Sequence, residues 1–305
     1  MIISKKGPVL ELHTPKKWEQ HNLDNILRNI WKAPKKWIHK MRMEKKITIN
    51  HSPPDWNSPL KAGDIIQIHL FVDEQYGVIP HYHPLEILYE DNHLLVVNKP
   101  ANMDTHPNEP GQTNTLANAV ASYFQQNGEQ IKVRHVHRLD RDTTGAVLFA
   151  KNDLSGAILD RMLEERRIKR TYWALADGVL KVKKGTINKA IGKDRHHPTR
   201  RRVSPGGQPA VTHYKVLKSF PKAEITLVEC TLDTGRTHQI RVHLSDMGFP
   251  LCGDKLYGGS SRFARQALHA RYLDLPHPLS GEPIHCTAPF LDEPPIFEKW
   301  VPEGK

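Results

Sequence analysis

The sequence predicts an α+β protein in which a small amino-terminal domain precedes one larger domain. Its 305 residues leave room for one large core and a small second one. Strand-like apolar runs recur along the later part of the chain, and helical patterns separate them at about 114–126 and 153–165. The runs cover residues 86–98, 146–151, 171–177, 210–217 and 223–232. Such spacing would by itself suit a parallel sheet.

The amino-terminal elements are short. Residues 1–15 are predicted to form an extended arm, and residues 16–72 to form the small domain. One face of a first helix is apolar, through Leu23, Ile26, Leu27 and Ile30. A second helix is expected from about Lys35 to Met43, and strands are expected at 46–50 and 65–70.

A polar segment separates the two domains. Residues 73–84 contain one glycine and two prolines, and this composition is typical of a linker. The larger domain is therefore predicted to cover residues 85–303.

The stretch His137–Gly145 places two carboxylates and two guanidinium groups on a predicted turn, directly before the apolar run Ala146–Ala150. A carboxylate beside a buried strand loses hydration and stays ionised only where cations compensate for that loss. Asp140 and Asp142 thus form a candidate reactive cluster with the flanking arginines. The alternative is a solvated loop whose charges cancel. We interpret Asp142 as a residue that caps the turn.

A second segment, Leu232–Leu244, follows a strand-like run and carries helix signals. Thr237 is the predicted N-cap, and Gly248 marks the predicted end of the helix. Arg236 then lies at a strand-to-helix corner, where a helix N-terminus favours anions. That corner is a suitable place from which to hold a catalytic carboxylate.

Both segments resemble signatures of the RluA-type RNA pseudouridine synthases. His137–Gly145 is similar to HRLDxxTSG, with Thr144 where serine is usual, and Leu232–Leu244 is similar to TGRTHQIRxHL. Further family landmarks follow in the same order between about residues 86 and 290: Asn98–Pro100, Arg170–Ala174, Pro250–Asp254, Gln266–Ala270 and Ala288–Pro289. The resemblance implies a mixed, mostly antiparallel sheet flanked by helices, in place of a parallel one.

The resemblance also implies an isomerase that converts specific uridines of ribosomal or transfer RNA to pseudouridine through a catalytic aspartate, Asp140. Arg236 would pair with this carboxylate, and Tyr172 would stack on the uracil. The aspartate can act as a nucleophile at the sugar or as a base that starts glycal formation, and the sequence does not separate these routes. Arg138 would help to take the uridine out of its helix. Four further substrate contacts are implied: His137, Thr144, Leu244 and Lys99.

The amino-terminal elements resemble the αL RNA-binding module named after ribosomal small-subunit protein four. The chain carries a net charge of +11, and residues 1–70 contain 13 Lys and Arg against 6 Asp and Glu. Such a field attracts phosphate backbones, although a basic surface can also serve solubility alone. Phosphate contact is predicted for Lys35, Lys36, Lys40, Arg42, Lys45 and Lys46. A second basic stretch, Lys181–Arg202, is expected to edge the cleft.

Three other classes of protein fit parts of the sequence. The run Asp140–Thr144 matches the D-x-D-x-T pattern of haloacid-dehalogenase-type phosphatases, but there the buried strand precedes the first aspartate, whereas here it follows. A retaining glycosidase also needs two carboxylates, yet nothing else suggests a carbohydrate cleft. A non-catalytic ribosome-binding protein would explain the positive charge but not the motifs around Asp140 and Arg236.

The remaining expectations concern cofactors, partners and location. The 19 histidines and three cysteines show no metal-ligand spacing, and the predicted rearrangement needs no cofactor. Widely spaced cysteines indicate reduced thiols. No apolar stretch approaches the ~20 residues of a membrane span. We therefore expect a cytoplasmic monomer whose partner is RNA, with no membrane or small-molecule partner.

Overall fold

The amino-terminal part of the protein is built on a four-stranded antiparallel sheet with the order β1-β2-β4-β3. The computed structural model describes residues 3–301. The four strands are β1 (Ile3–Lys6), β2 (Val9–His13), β3 (Ile47–Ile49) and β4 (Ile65–His69). Leu10 and Leu12 of β2 are fully buried opposite Ile68 and Ile66 of β4.

Residues 3–13 are therefore not the extended arm that the sequence predicted. They form a hairpin, and the alternation of buried leucines in β2 makes it part of the core. Residues 1 and 2 of the predicted arm lie outside the described residues.

Two short helical segments cover this sheet. Helix α1 (Leu23–Asn25) begins where the Asn25 N–H donates to the Asn22 side chain at 2.8 Å, and it continues as a π-helical turn, Ile26–Ile30. The wider turn moves Ile30 out of the predicted apolar face, so that this side chain is 39% exposed. Helix α2 (Lys35–Met43) lies where the sequence predicts it.

The larger domain contains a ten-stranded sheet. Its main path is β10-β13-β14-β9-β15-β8-β6-β5, while β16 pairs with β15 and β7 with β8. All pairings are antiparallel except that between β8 and β15, so the predicted mixed, mostly antiparallel sheet is confirmed. The strands are β5 (Glu86–Glu90), β6 (Leu94–Lys99), β7 (Arg134–His135), β8 (Thr144–Ala150), β9 (Lys169–Asp177), β10 (Lys184–Asn188), β11 (Ile191–Lys193), β12 (Arg201–Val203), β13 (Val211–Phe220), β14 (Ile225–Leu232), β15 (Leu268–Pro276) and β16 (Pro283–Thr287). Strands β11 and β12 pair only with each other, as a basic hairpin.

Three helices flank the large sheet: α3 (Leu116–Gln126), α4 (Asp153–Glu164) and α5 (Gln239–Asp246). The first two begin and end within two residues of the predicted bounds. Helix α5 begins later than predicted, because its N-cap is His238, in a left-handed conformation with φ 59°, rather than Thr237. It ends before Gly248, as the sequence predicts.

The two sheets share one continuous apolar cluster. It includes Leu12 and Trp31 of the amino-terminal part together with Leu148, Leu159 and Leu273 of the larger domain. An ion pair of 2.7 Å between Lys32 and Glu165 lies at the edge of this contact.

The connecting residues 73–84 form no helix or strand, but backbone hydrogen bonds attach them to the larger domain. The Glu74 N–H donates to the Gln130 carbonyl at 2.8 Å, and the carbonyl of Tyr76 accepts from the Val133 N–H at 2.9 Å. Within residues 3–301, none of the helices has the length and apolarity that crossing a membrane requires.

Candidate active site

An open cavity of about 650 Å³ lies on the large sheet between the loop that precedes β8 and the start of α5. The beginning of β9 and the end of β14 form its floor. Five segments therefore meet there that are far apart in the sequence: residues 135–143, 163–166, 170–172, 232–241 and Leu268.

Asp140 lies on the wall of this cavity because its loop is held from behind. The Thr105 hydroxyl donates to the Leu139 carbonyl at 3.0 Å and accepts from the Leu139 N–H at 3.1 Å. The Lys99 ammonium donates to the Arg141 carbonyl at 2.8 Å. The residues on both sides of Asp140 are thereby fixed, and the carboxylate faces the open space with its side chain 20% exposed.

Gly145 allows the loop to enter the sheet. Its φ is +112°, and a Cβ atom there would lie 2.3 Å from the Ala270 carbonyl oxygen. This close approach is the parallel contact of β8 with β15. Only glycine fits such a position.

Arg241 of α5 pairs with Asp140. Its Nη1 donates to Asp140 Oδ2 at 3.0 Å, while Nε and Nη2 donate to the two oxygens of Asp254 at 2.7 and 2.9 Å. Burial acts to lower the pKa of Arg241, but the hydrogen bonds to Asp254 and the charge of Asp140 outweigh it, so that the pKa lies above its ordinary value. Arg241 is thus a fixed cation beside the candidate catalytic carboxylate.

The prediction that Arg236 pairs with Asp140 is wrong. The Arg236 side chain donates to the Pro209 carbonyl at 3.1 Å, and its backbone N–H donates to the Gln239 side chain at 3.0 Å. Arg236 lines the cavity from the loop before α5, because the helix begins only at Gln239. That later start brings Arg241 to the carboxylate.

Tyr172 forms part of the cavity floor, as the predicted stacking role requires. It lies in β9 between Cys230 of β14 and Ala270 of β15, and 4% of the residue is exposed. Burial raises the pKa of its phenol, so the group is neutral at physiological pH.

Two other predicted contacts also line the cavity. Arg138 is exposed on its wall. His137 is buried beside it, and its Nε2 accepts from the Leu148 N–H at 3.3 Å. Burial lowers the pKa of His137 to about 3, so this imidazole is neutral at physiological pH.

Three residues predicted to contact substrate lie outside the cavity wall. The Thr144 hydroxyl accepts from Arg265 at 3.0 Å and contacts His269 Nδ1 at 2.7 Å. Leu244 is fully buried in the apolar core. Lys99 is also fully buried, and its ammonium donates to the carbonyls of Pro100, Met103 and Arg141 at 2.7 to 2.8 Å. All three support the fold around the cavity.

His238 is a cavity residue to which the sequence analysis assigned no role, although it belongs to the second motif. Its Nδ1 is 2.9 Å from the Tyr257 hydroxyl, and its Nε2 is 3.9 Å from Asp140 Oδ2. Burial lowers its pKa despite the opposing charge of Asp140. The signal that could have identified the cation is the motif itself, because Arg241 is its second arginine and lies on the buried part of α5.

The predicted RNA-binding cations fall into two groups. Arg42 pairs with Asp24 at 3.2 Å and lies over the Trp56 ring at 4.2 Å, while Lys46 pairs with Glu44 at 2.8 Å. The other four are exposed and form no ion pair with any residue from 3 to 301: Lys35, Lys36, Lys40 and Lys45. These four residues are called the lysine face below.

Comparison with known proteins identifies both parts of the chain. Residues 93–246 match the RNA pseudouridylate synthase family, and residues 10–66 match the RluD ribosomal pseudouridine synthase N-terminal domain. An uncharacterized RNA pseudouridine synthase, YhcT, of Bacillus subtilis strain 168 is 53% identical over 289 residues, which are 94% of this chain and 96% of that protein.

A second relative and a solved structure agree with these matches. The ribosomal large subunit pseudouridine synthase D of Haemophilus ducreyi is 38% identical over 246 residues, 75% of this chain and 74% of that protein. The structure of human RNA pseudouridylate synthase domain containing 1 superimposes with a TM-score of 0.56 at 30% identity, covering 68% of this chain and 85% of that one.

Proposed function

This chain belongs to the RNA pseudouridylate synthase family and is an isomerase of RNA uridines; from that premise we propose that it modifies large-subunit ribosomal RNA, with Asp140 as the catalytic group. The observation that carries the catalytic assignment is the geometry of Asp140, which lies 3.0 Å from a buried arginine on an open cavity that a buried tyrosine also lines. The name of the relative from Haemophilus ducreyi supports the ribosomal substrate.

Asp140 starts the reaction as an ionised carboxylate. Pseudouridine forms when the bond from ribose to the uracil nitrogen breaks, the base turns, and a carbon of the base joins the sugar. An ionised carboxylate serves this both as a nucleophile at the sugar and as a base that begins glycal formation. Arg241 stabilises the charge and holds the carboxylate toward the cavity.

Tyr172 and Arg138 act on the uracil base: Tyr172 binds it, and Arg138 helps to bring it out of the RNA helix. The neutral phenol ring of Tyr172 stacks on the uracil close to the carbon that must lose its proton at the end. Arg138 is exposed at the opening, where it takes the place of the uridine as the nucleotide leaves its helix.

The setting of the reaction follows from the same features. Substrate and product are isomers, so atoms balance without a cofactor. The cavity is formed by one chain, and we infer that a monomer suffices.

Three buried thiols and an RNA substrate support a cytoplasmic location. The lysine face holds the RNA backbone by salt-sensitive attraction.

Chemical mapping of pseudouridines tests this proposal. RNA from cells with and without the protein should differ at one or a few uridines of large-subunit ribosomal RNA. The purified protein should convert the same uridines in excess chelator, after the RNA has been folded. A difference confined to transfer RNA would show that transfer RNA, and not ribosomal RNA, is the substrate. Identical maps together with no conversion in vitro would reject the proposed function.

A further inference from the structure

Arg170 is a buried arginine without a partner on the wall of the same cavity. It is 9% exposed, and its guanidinium forms no hydrogen bond or ion pair with any residue from 3 to 301. Its Nε atom is inaccessible to solvent and also lacks a hydrogen-bond partner. A buried charge is costly unless something compensates for it.

The other buried cations of the described chain show what compensation looks like here. Each donates to carboxylates or to several carbonyl groups. They are Arg241 with Asp140 and Asp254, Arg265 with Asp292, Lys151 with Glu90 and Glu129, and Lys99 with three carbonyls. Among these five buried cations, Arg170 alone has no compensating group from the protein.

The position of Arg170 places its charge beside the predicted base-stacking residue. Arg170 and Tyr172 are two residues apart in β9, so both side chains leave the same face of the sheet, with about 7 Å between their Cα atoms. The guanidinium lies against Gly235, where a Cβ atom would be 3.2 Å from Nη1. The absence of a side chain at Gly235 therefore leaves room for the guanidinium.

None of the three carboxylates on the cavity wall pairs with Arg170. Asp140 pairs with Arg241 at 3.0 Å, and Asp233 pairs with Arg166 at 3.1 Å. Glu164 is exposed and forms no ion pair with Arg170. The missing partner of Arg170 is therefore supplied from outside the chain. A planar guanidinium that faces a cavity recognises a phosphate through two parallel hydrogen bonds.

We propose that Arg170 binds the phosphodiester next to the target uridine and so positions that nucleotide between Tyr172 and Asp140. This inference rests on the proposed function, because the phosphate is that of the RNA whose uridine is isomerised. Uracil carbonyl oxygens are the competing acceptors, but they are uncharged and do not offset the charge of a desolvated arginine.

The test uses short RNAs that contain a uridine which the wild-type protein converts. One RNA has normal linkages, and two others carry an uncharged methylphosphonate directly 5′ or 3′ of that uridine. Binding and single-turnover conversion are measured for the wild type, Arg170→Met and Arg170→Lys. Conversion by the wild type reports the proposed function, and the methylphosphonate effect reports the role of Arg170, so either can fail alone.

Arg170→Met should weaken binding of the normal RNA by about 10- to 100-fold, the range of a hydrogen bond between charged groups. One methylphosphonate should cause the same loss in the wild type and no further loss in Arg170→Met, while Arg170→Lys should restore part of the binding. Arg170 does not bind this phosphate if neither methylphosphonate weakens RNA binding by the wild type. The same conclusion follows if the methylphosphonate weakens binding by Arg170→Met as much as it weakens binding by the wild type.

Two controls separate this role from a structural one. Arg166→Met removes an exposed arginine of the same cavity that is already paired, and it should keep the full methylphosphonate effect. Without RNA, Arg170→Met should be as stable as the wild type or more stable, because it removes an uncompensated charge. A clear loss of stability that lysine restores would assign Arg170 to the fold and overturn the proposal.

Discussion

The cavity and the lysine face both carry positive charge, but the two regions hold that charge in opposite ways. In the cavity, Arg241 is buried and fixed by two carboxylates at 2.7 to 3.0 Å. On the lysine face, the ammonium groups are exposed and unpaired within the described residues. Fixed charge stabilises a reacting group at one position, whereas mobile charge attracts a phosphate backbone without fixing its register. Substitutions in the two regions should therefore change different quantities.

The largest effect is expected from Asp140→Asn. This change keeps the size of the side chain but removes the charge that the proposed mechanism requires at the sugar. Single-turnover conversion should fall by about four powers of ten or more, equivalent to ~5 kcal/mol or more of barrier. RNA binding, measured by filter retention, should be retained.

Asp142→Asn is the matched control, because it removes a carboxylate from the same turn. It should keep substantial activity. If Asp142→Asn is the inactive variant, or if Asp140→Asn converts uridine at nearly the wild-type rate, the two aspartates have been assigned the wrong roles.

Arg241→Met should cause the next largest loss. It removes the fixed cation beside Asp140, and conversion should fall by about 10²- to 10³-fold, as when one preorganised electrostatic interaction is removed. Arg236→Met should cost less than about tenfold, because that side chain bonds only to a backbone carbonyl. A larger loss for Arg236→Met than for Arg241→Met would contradict the pairing that we describe.

Lys99→Met should mainly lower the stability of the folded protein, because Lys99 lies outside the cavity wall. It leaves three buried carbonyls without their donor, and we expect the free energy of unfolding in urea to fall by about 2–4 kcal/mol. Lys45→Met, on the exposed lysine face, should stay within about 0.5 kcal/mol of the wild type. If the two substitutions lowered the free energy of unfolding equally, buried and exposed lysines would contribute alike to stability, contrary to our expectation.

The stability difference between wild type and Lys99→Met should also depend on pH. Burial lowers the pKa of Lys99 from its ordinary 10.5 to about 7. Between these two values the unfolded chain binds more protons at this site, so the wild type should gain stability relative to the variant as pH rises from 7 to about 10. A difference that is constant over this range would show that the ammonium keeps its charge in the folded protein.

The smallest effect per residue is expected on the lysine face. Replacing all four lysines by alanine should reduce the slope of log affinity against log salt by about 0.7 to 0.9 for each phosphate that is no longer neutralised. Conversion at saturating RNA should be unchanged. Substitution is a cleaner test than removal of residues 1–72, because the shared apolar cluster would be exposed by truncation. If the slope of log affinity against log salt were unchanged, the lysine face would not contact RNA phosphates.

The sequence motifs placed Asp140 and Tyr172 correctly on the cavity, but not the cation that holds the carboxylate. The error arose from two residues. A helix that starts at Thr237 would leave Arg236 at the corner, whereas the left-handed turn at His238 delays the helix and brings Arg241 inward. Histidine adopts positive φ more often than most non-glycine residues, but it still does so rarely, so the sequence alone did not predict this bend.

Motif membership likewise did not say which way a side chain points. Lys99, Thr144 and Leu244 belong to the recognised segments, yet they lie behind the loop or in the core. Successive side chains of a strand or a turn point in different directions, and only the packed structure shows which direction is the cavity. The helices α2, α3 and α4 were predictable because strong periodic patterns extend over nine residues or more.

The shared apolar cluster of the two sheets also bears on how this protein chooses its target. Because the amino-terminal domain shares a buried apolar cluster with the larger one, we expect the distance from the lysine face to Asp140 to stay nearly fixed. If RNA contacts both places, as we propose, it should fit only when its folded shape brings a backbone segment and a uridine to that separation. We therefore expect target choice to depend on the three-dimensional shape of the RNA more than on the bases that flank the uridine.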